Sequence, residues 1–162
     1  MLSVEFILEL LRSKVEEPND IKPDKDSFPQ AVSISVRSLI PACQELYQNP
    51  KTYFDLLSCI TGIDNGPEAK TMEVIYNLYS IPHNFQLMLK VILPRENPEV
   101  ESLSGIWKTA NWLEREVYDM FGIKFRNHPD LRRILLPADW EGYPLRKDYK
   151  HQDYYRGVKV EY

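Results

Sequence analysis

The chain has 162 residues, 43% apolar and 27% charged, which suits one globular domain burying roughly 70% of the surface its unfolded chain exposes and excludes wholesale disorder. Its 20 basic and 24 acidic residues leave a net charge of −4 and a pI of 5.4, so no global pull toward nucleic acid or anionic lipid exists. No apolar run approaches the roughly 18 residues of a membrane span, Glu5 and Glu9 interrupt the apolar start, and the expectation is a cytoplasmic protein without a secretory signal.

Val4, Ile7, Leu8 and Leu11 recur at helical spacing behind Ser3 as an N-cap, with Glu5, Glu9 and Arg12 left for solvent, which predicts a short amphipathic helix. The stretch holding Pro18, Asn19, Asp20, Pro23, Asp24 and Asp26 lacks apolar residues to offset its ordering entropy, so a mobile loop is expected there. Val32, Ile34 and Val36 alternate with Ala31, Ser33 and Ser35 and predict a strand. Ser38 is the expected cap of a second helix reaching about Gln48, with Pro41 in its first turn and Asn49-Pro50 as its stop.

Three strands are predicted next, over 54–64, 72–81 and 85–93. The turns Asn65-Gly66-Pro67 and Pro82-His83-Asn84 between them imply an antiparallel meander. Phe85, Leu87, Leu89, Val91 and Leu93 share one face, as do Met72, Val74, Tyr76 and Leu78 in the neighbouring strand; those faces should bury the first two helices. From Ser102 or Ser104 a helix is expected to run to Phe121, with Leu103, Ile106, Trp107, Ala110, Leu113, Val117 and Phe121 in one stripe and Gly122 at C′. The order of elements is α+β without repeats: a small domain with a mostly antiparallel sheet packed by helices.

Charge and composition both change near residue 124. Residues 1–123 carry 11 basic and 18 acidic residues, net −7, and residues 124–162 carry 9 and 6, net +3. Pro129, Pro137, Pro144, Gly142 and Gly157 deny the second segment a long helix. The chain therefore divides into an α+β body, 1–123, and an extended tail, 124–162.

A self-contained active site is not legible. The six glycines form neither a dinucleotide fingerprint nor a phosphate loop. His83, His128 and His151 fit no zinc template and read as surface or hydrogen-bonding residues. Cys43 and Cys59 read as small core hydrophobes, and two thiols are too few for an iron–sulfur cluster. Asp64-Asn65-Gly66 is a turn signal rather than the start of a calcium loop.

The chemistry is concentrated between Leu113 and Tyr149. Glu114, Glu116 and Asp119 stand near a helix C-terminus, where the macrodipole opposes them by roughly 0.3–1 kcal/mol each, so they need partners. Arg126, Arg132, Arg133, Arg146 and Lys147 supply candidates, some folding back on the helix and others reaching another protein. The tail also carries Phe125, Leu131, Ile134, Leu135, Leu136, Trp140, Tyr143, Leu145, Tyr149, Tyr154, Tyr155 and Tyr162, too apolar for a free coil and too broken by proline for its own core. It must lie on something, and its aromatic and arginine content favours a binding element over cover for its own chain.

Glu114-Arg115-Glu116-x-x-Asp119-Met120-Phe121-Gly122-Ile123, His128-Pro129-Asp130-Leu131-Arg132-Arg133-Ile134-Leu135-Leu136-Pro137 and Asp139-Trp140-x-Gly142-x-Pro144-Leu145-Arg146-Lys147-Asp148-Tyr149 together resemble the signature of the C subunit of respiratory complex I, the bacterial NADH:quinone oxidoreductase. The resemblance implies a cofactor-free, non-catalytic component of the peripheral arm on the cytoplasmic side of the inner membrane. It would lie beside the hydrogenase-like D subunit and near the iron–sulfur subunits B and I. FMN and the iron–sulfur clusters would be held by partner subunits, and the assembly would move electrons from NADH to quinone while translocating protons. Carried onto this chain, His128, Arg132, Arg133, Trp140, Arg146, Lys147, Asp148 and Tyr149 become docking and positioning residues. The chain ends thirteen residues after Tyr149, so neither fusion to the D subunit nor a long extension is expected. The rivals are the matching component of a membrane-bound hydrogenase or of a ferredoxin- or deazaflavin-dependent relative, and, from another class, a nucleic-acid module using the basic aromatic tail, which a charge of +3 with six acids interspersed disfavours.

Overall fold

A computed structural model describes residues 2–15, 17–24 and 27–160, so the readings placed on Asp26 and Tyr162 lie outside the described residues. Helix α1 (Val4–Lys14) starts where Ser3 Oγ accepts the Phe6 N–H at 3.3 Å, and it buries Val4, Ile7, Leu8 and Leu11. The polar stretch after it is not the loop expected from its composition. A 3₁₀ turn (Pro18–Asp20) leads into a short strand, β1 (Lys22–Asp24), because Ile21 is fully buried, its carbonyl takes an Arg12 guanidinium N–H at 3.1 Å, and β1 covers the edge of the next strand.

Strand β2 (Ala31–Ser33) is shorter than the alternation suggested. Ser35, not Ser38, caps helix α2 (Val36–Gln48), accepting the Ser38 N–H at 3.4 Å, so Val36 joins the helix and Pro41 falls inside it, beyond the first turn. Strands β3 (Leu56–Asp64), β4 (Thr71–Ser80) and β5 (Phe85–Pro94) form the expected antiparallel meander. The five-stranded sheet runs β1-β2-β5-β4-β3, with the single parallel pairing between β2 and β5. Its inward rows, Met72, Val74, Tyr76 and Leu78 against Leu87, Leu89, Val91 and Leu93, are buried in one core with α1 and α2. The Cys59 expectation fails. A bulge between Leu57 and Cys59 turns Ser58 and Cys59 outward together, whereas Cys43 is buried in α2 and burial pushes its thiol up.

The long helix expected from Ser102 or Ser104 begins only at Ala110. Residues 99–101 form β6 (Glu99–Glu101), and residues 103–109 make turns in which Ile106 and Trp107 N–H both bond the Leu103 carbonyl. Leu103 and Trp107 are nonetheless buried as the stripe required, and the Trp107 indole N–H donates to the Phe54 carbonyl at 2.9 Å. Helix α3 (Ala110–Phe121) ends at Gly122, whose φ of 71° is the left-handed C′ conformation foreseen for it. At Gly62 of β3 a Cβ would stand 2.6 Å from the Phe121 ring, so α3 lies directly on that strand.

At residue 124, where the composition changes, the chain runs on into β7 (Lys124–Arg126). This strand pairs in parallel with β6 and buries Phe125 in the core. Beyond it the described residues hold turns and a two-stranded ribbon, β8 (Tyr154–Tyr155) with β9 (Val158–Lys159). Among the described residues no helix is long and apolar enough to cross a membrane.

Candidate functional site

An α-helix leaves its last four carbonyls without intrahelical partners. At the end of α3 the Gly122 N–H serves Tyr118 at 2.8 Å, and the tail supplies the other three: Arg133 Nη1 to Asp119 O at 3.1 Å, the Leu145 N–H to Met120 O at 3.1 Å, and Arg146 Nε to Phe121 O at 2.6 Å. Two guanidinium groups thus sit at the negative end of the helix dipole. The tail is built around that terminus.

Asp119 makes the tightest knot. Its Oδ2 accepts three successive backbone N–H groups, from Ile134, Leu135 and Leu136, at 3.0, 2.7 and 2.9 Å, while Oδ1 takes Arg133 Nη1 at 2.7 Å. Burial pushes this carboxyl up, but the Leu136 N–H, Arg133 and the other two N–H groups outweigh it and hold the group below the usual carboxylate value. The same guanidinium donates from Nη2 to the carbonyls of Trp140 and Gly142 at 3.0 and 2.8 Å and lies over the Tyr143 ring. A single arginine therefore ties together several points of a segment that has no secondary structure.

A second knot ties the tail to the sheet. Asp64, at the end of β3, takes Arg95 in a bidentate pair at 2.8 and 2.9 Å, the Gly66 N–H at 2.9 Å and the Lys147 N–H at 2.9 Å. Arg95 also reaches Asp148 at 2.5 Å. The Arg95 side-chain bond, with the backbone donors, holds Asp64 far below its ordinary value. Arg115 adds bonds to the carbonyls of Arg132 and Arg133 at 3.2 and 3.4 Å.

The residues singled out from sequence take different places. His128 is buried between the Asn111 carbonyl and the Asp130 N–H. Arg133, Arg146 and Asp148 are engaged with the body, Lys147 through its backbone N–H, and the Trp140 indole N–H donates to the Tyr149 hydroxyl at 3.1 Å. Arg132 points outward and pairs with Asp130. The outward apolar residues are others: Leu135, Leu145, Tyr154 and Val158 are 61%, 55%, 64% and 65% exposed, and Trp112 of α3 joins them at 63%. The sequence reading missed Asp64 and Arg95 as anchors. The signal was an acid on a buried phase of β3 and an arginine directly after β5, distant in sequence but adjacent once the meander forms. Among the described residues no group of three or more His, Cys, Asp or Glu is arranged to hold a metal ion.

What the arrangement does chemically is hold an irregular connector rigid with apolar side chains facing out, which is how protein interfaces are prepared. Residues 32–155 match the family model described as respiratory-chain NADH dehydrogenase, 30 Kd subunit. The chain is 47% identical over 116 residues to the C subunit of the NADH-quinone oxidoreductase of Chloroherpeton thalassium, covering 71% of this chain and 48% of that protein. It is 47% identical over 115 residues to the corresponding protein of Chlorobium phaeobacteroides, covering 70% and 69%. The chain thus spans about half the length of the first of these relatives. Among solved structures, a trypsin-resistant fragment of Nqo5 superposes with a TM-score of 0.63 at 28% identity over 79% of this chain and 98% of the fragment. A chain of an archaeal membrane-bound sulfane sulfur reductase superposes at 0.68 and 22% identity over 91% and 83%, a likeness of fold.

Proposed function

The chain belongs to the family of the respiratory-chain NADH dehydrogenase 30 Kd subunit, and from that premise we propose that it works as the C subunit of a proton-pumping NADH:quinone oxidoreductase. In this reading it is one component of a hetero-oligomeric complex and sits in the peripheral arm, on the cytoplasmic face of the inner membrane. Electrons pass from NADH through FMN and iron–sulfur clusters in other subunits to quinone, and this chain holds none of those groups. Its contribution is geometric: it fixes the quinone-reducing module by docking on the hydrogenase-like D subunit and near the iron–sulfur subunits B and I.

One observation carries the docking role. The tail is clamped to its own body at Asp119, Phe121 and Asp64, yet keeps Leu135, Leu145, Tyr154 and Val158 in solvent. Burying four such side chains against a partner is worth roughly 1.5–3 kcal/mol each before the costs of association. His128, Arg133, Trp140, Arg146, Asp148 and Tyr149 then act as positioning residues behind that face, with Arg132 at its margin and the Lys147 ammonium group on the Asn65 carbonyl at 3.4 Å.

The test is purification from the native membrane in mild detergent through a tag on this chain. Recovery of an NADH-binding flavoprotein, a hydrogenase-like subunit and iron–sulfur subunits is the expected result. Recovery of a hydrogenase or of ferredoxin- or deazaflavin-reacting subunits without the NADH-binding module would assign the chain to a related complex instead. Isolation as a free monomer from membranes that retain assembled complex would refute the role.

A further inference from the structure

Glu114 lies in the middle of α3 with a fully buried side chain. Its Oε1 accepts the Leu103 N–H at 2.6 Å and its Oε2 accepts the Ser102 hydroxyl at 2.6 Å, so the carboxyl closes the turn that delays α3 until Ala110. His128 Nε2 stands 3.9 Å from Oε2, in the turn just after β7. That ring is committed at both nitrogens: Nδ1 accepts the Asp130 N–H at 3.0 Å, which leaves Nε2 as the donor to the Asn111 carbonyl at 2.9 Å. The carboxyl thus gains no N–H from the histidine. The other titratable group facing it is Tyr76 of β4, a buried hydroxyl without a hydrogen-bond partner among the described residues, with Cys43 of α2 beyond it. Among the described residues no lysine or arginine pairs with Glu114.

We propose that Glu114 is a buried proton-exchanging latch, which when uncharged seats the 102–104 turn on α3 and when ionised loosens it. The inference does not depend on which partners the tail meets. A carboxylate with two donors and no counter-cation is poorly compensated in the interior. The uncharged acid, by contrast, fits the bonds already present. Ser102 Oγ lies 2.7 Å from Ser104 Oγ, so its hydroxyl can swing to Ser104 and accept the new acid O–H, while Oε1 keeps the Leu103 N–H. The proton comes from solvent when the junction opens and returns to it.

Burial pushes the Glu114 carboxyl up to about 7, against the lowering effect of its Ser102 and Leu103 bonds. The folded junction therefore binds the proton more tightly than the opened one, whose carboxyl has the ordinary value of 4.5. Stability from this group is complete below 4.5, declines as pH rises toward 7, and is level above it.

The experiment is a carboxyl-carbon NMR titration of the full chain, joined to hydrogen exchange of the Leu103 amide at pH 5, 6, 7 and 8, corrected for intrinsic rates. The expected midpoint for Glu114 lies near 7, with protection falling by up to about tenfold per pH unit between 5 and 7 and levelling above. E114Q removes that slope and H128Q keeps it. A midpoint below 5, a slope that survives E114Q, or a slope abolished by H128Q would each overturn the proposal. If either variant does not fold, the titration of the unsubstituted chain decides.

Discussion

Arg146 donates through Nε to the Phe121 carbonyl at 2.6 Å while its guanidinium lies 4.8 Å from the centre of the Tyr143 ring, so one side chain both caps α3 and seats the tail. Replacing it by alanine leaves a half-buried helix-terminal carbonyl unpaired and removes the cation–π contact, a loss of about 1–3 kcal/mol. R146K recovers part of this, because an ammonium group keeps the charge but not the planar fork. Urea unfolding of the three proteins checks the order: unsubstituted, R146K, R146A.

D119N and R133A break the same knot from its two sides. Asparagine turns one carboxylate oxygen into an N–H₂ group facing either Arg133 or the N–H groups of Ile134, Leu135 and Leu136, and R133A leaves a buried carboxylate without its cation. Each change is expected to cost about 3–5 kcal/mol. The double mutant should cost less than the two single losses together, since both break one network. Limited proteolysis between residues 130 and 145 gives a local readout: cleavage there should accelerate in both variants.

Acid should release the tail before it unfolds the body. Asp64, Asp119 and Asp148 are all held below their ordinary values, Asp64 and Asp148 chiefly by Arg95 and Asp119 by backbone N–H groups and Arg133 against its burial. A depressed carboxyl contributes stability that is present above its unfolded value and is lost as pH falls through the folded one, so the loss begins below about pH 4. Fluorescence of Trp140 against far-ultraviolet circular dichroism, followed from pH 5 to pH 2, should show the tail transition first.

Gly122 and Gly105 make a matched pair. G122A demands a positive φ of a side-chain-bearing residue and puts a Cβ 2.5 Å from the Tyr143 ring, which should cost at least about 1–2 kcal/mol. G105A meets nothing within 4 Å and should be neutral or slightly stabilising. Thermal unfolding separates them.

L135S and L145S test the outward face. Both side chains are solvent-exposed, so the isolated chain should keep its stability within about 0.5 kcal/mol. Recovery of the assembled complex from membranes should fall. Unchanged assembly with both substitutions combined would remove the docking role from that face.

Periodic elements were legible because their physics is local. The alternation of β4 and β5, the apolar stripe of α1 and the C′ glycine after α3 each follow from side-chain spacing or a single residue's allowed φ. The boundaries that moved did so for tertiary reasons: Glu114 holds Ser102 and Leu103 in a turn and so delays α3, and the exposed edge of β2 recruits β1 from a stretch too polar to fold alone. Cys59 turned outward because a bulge has no signature in alternation.

By itself the sequence determined the α+β order, the meander, and the fact that an arginine-rich, proline-broken segment with many aromatic residues must lie on a surface. Only the tertiary structure decided which surface each side chain serves. Arg133 and Arg146 turn inward to satisfy helix-end carbonyls and Asp148 pairs with Arg95 at the surface, leaving Leu135, Leu145 and Tyr154 outside. The reason is that ion pairs and backbone caps join residues as much as 83 positions apart, as Lys147 and Asp64 are, and no local periodicity encodes a partner at that distance.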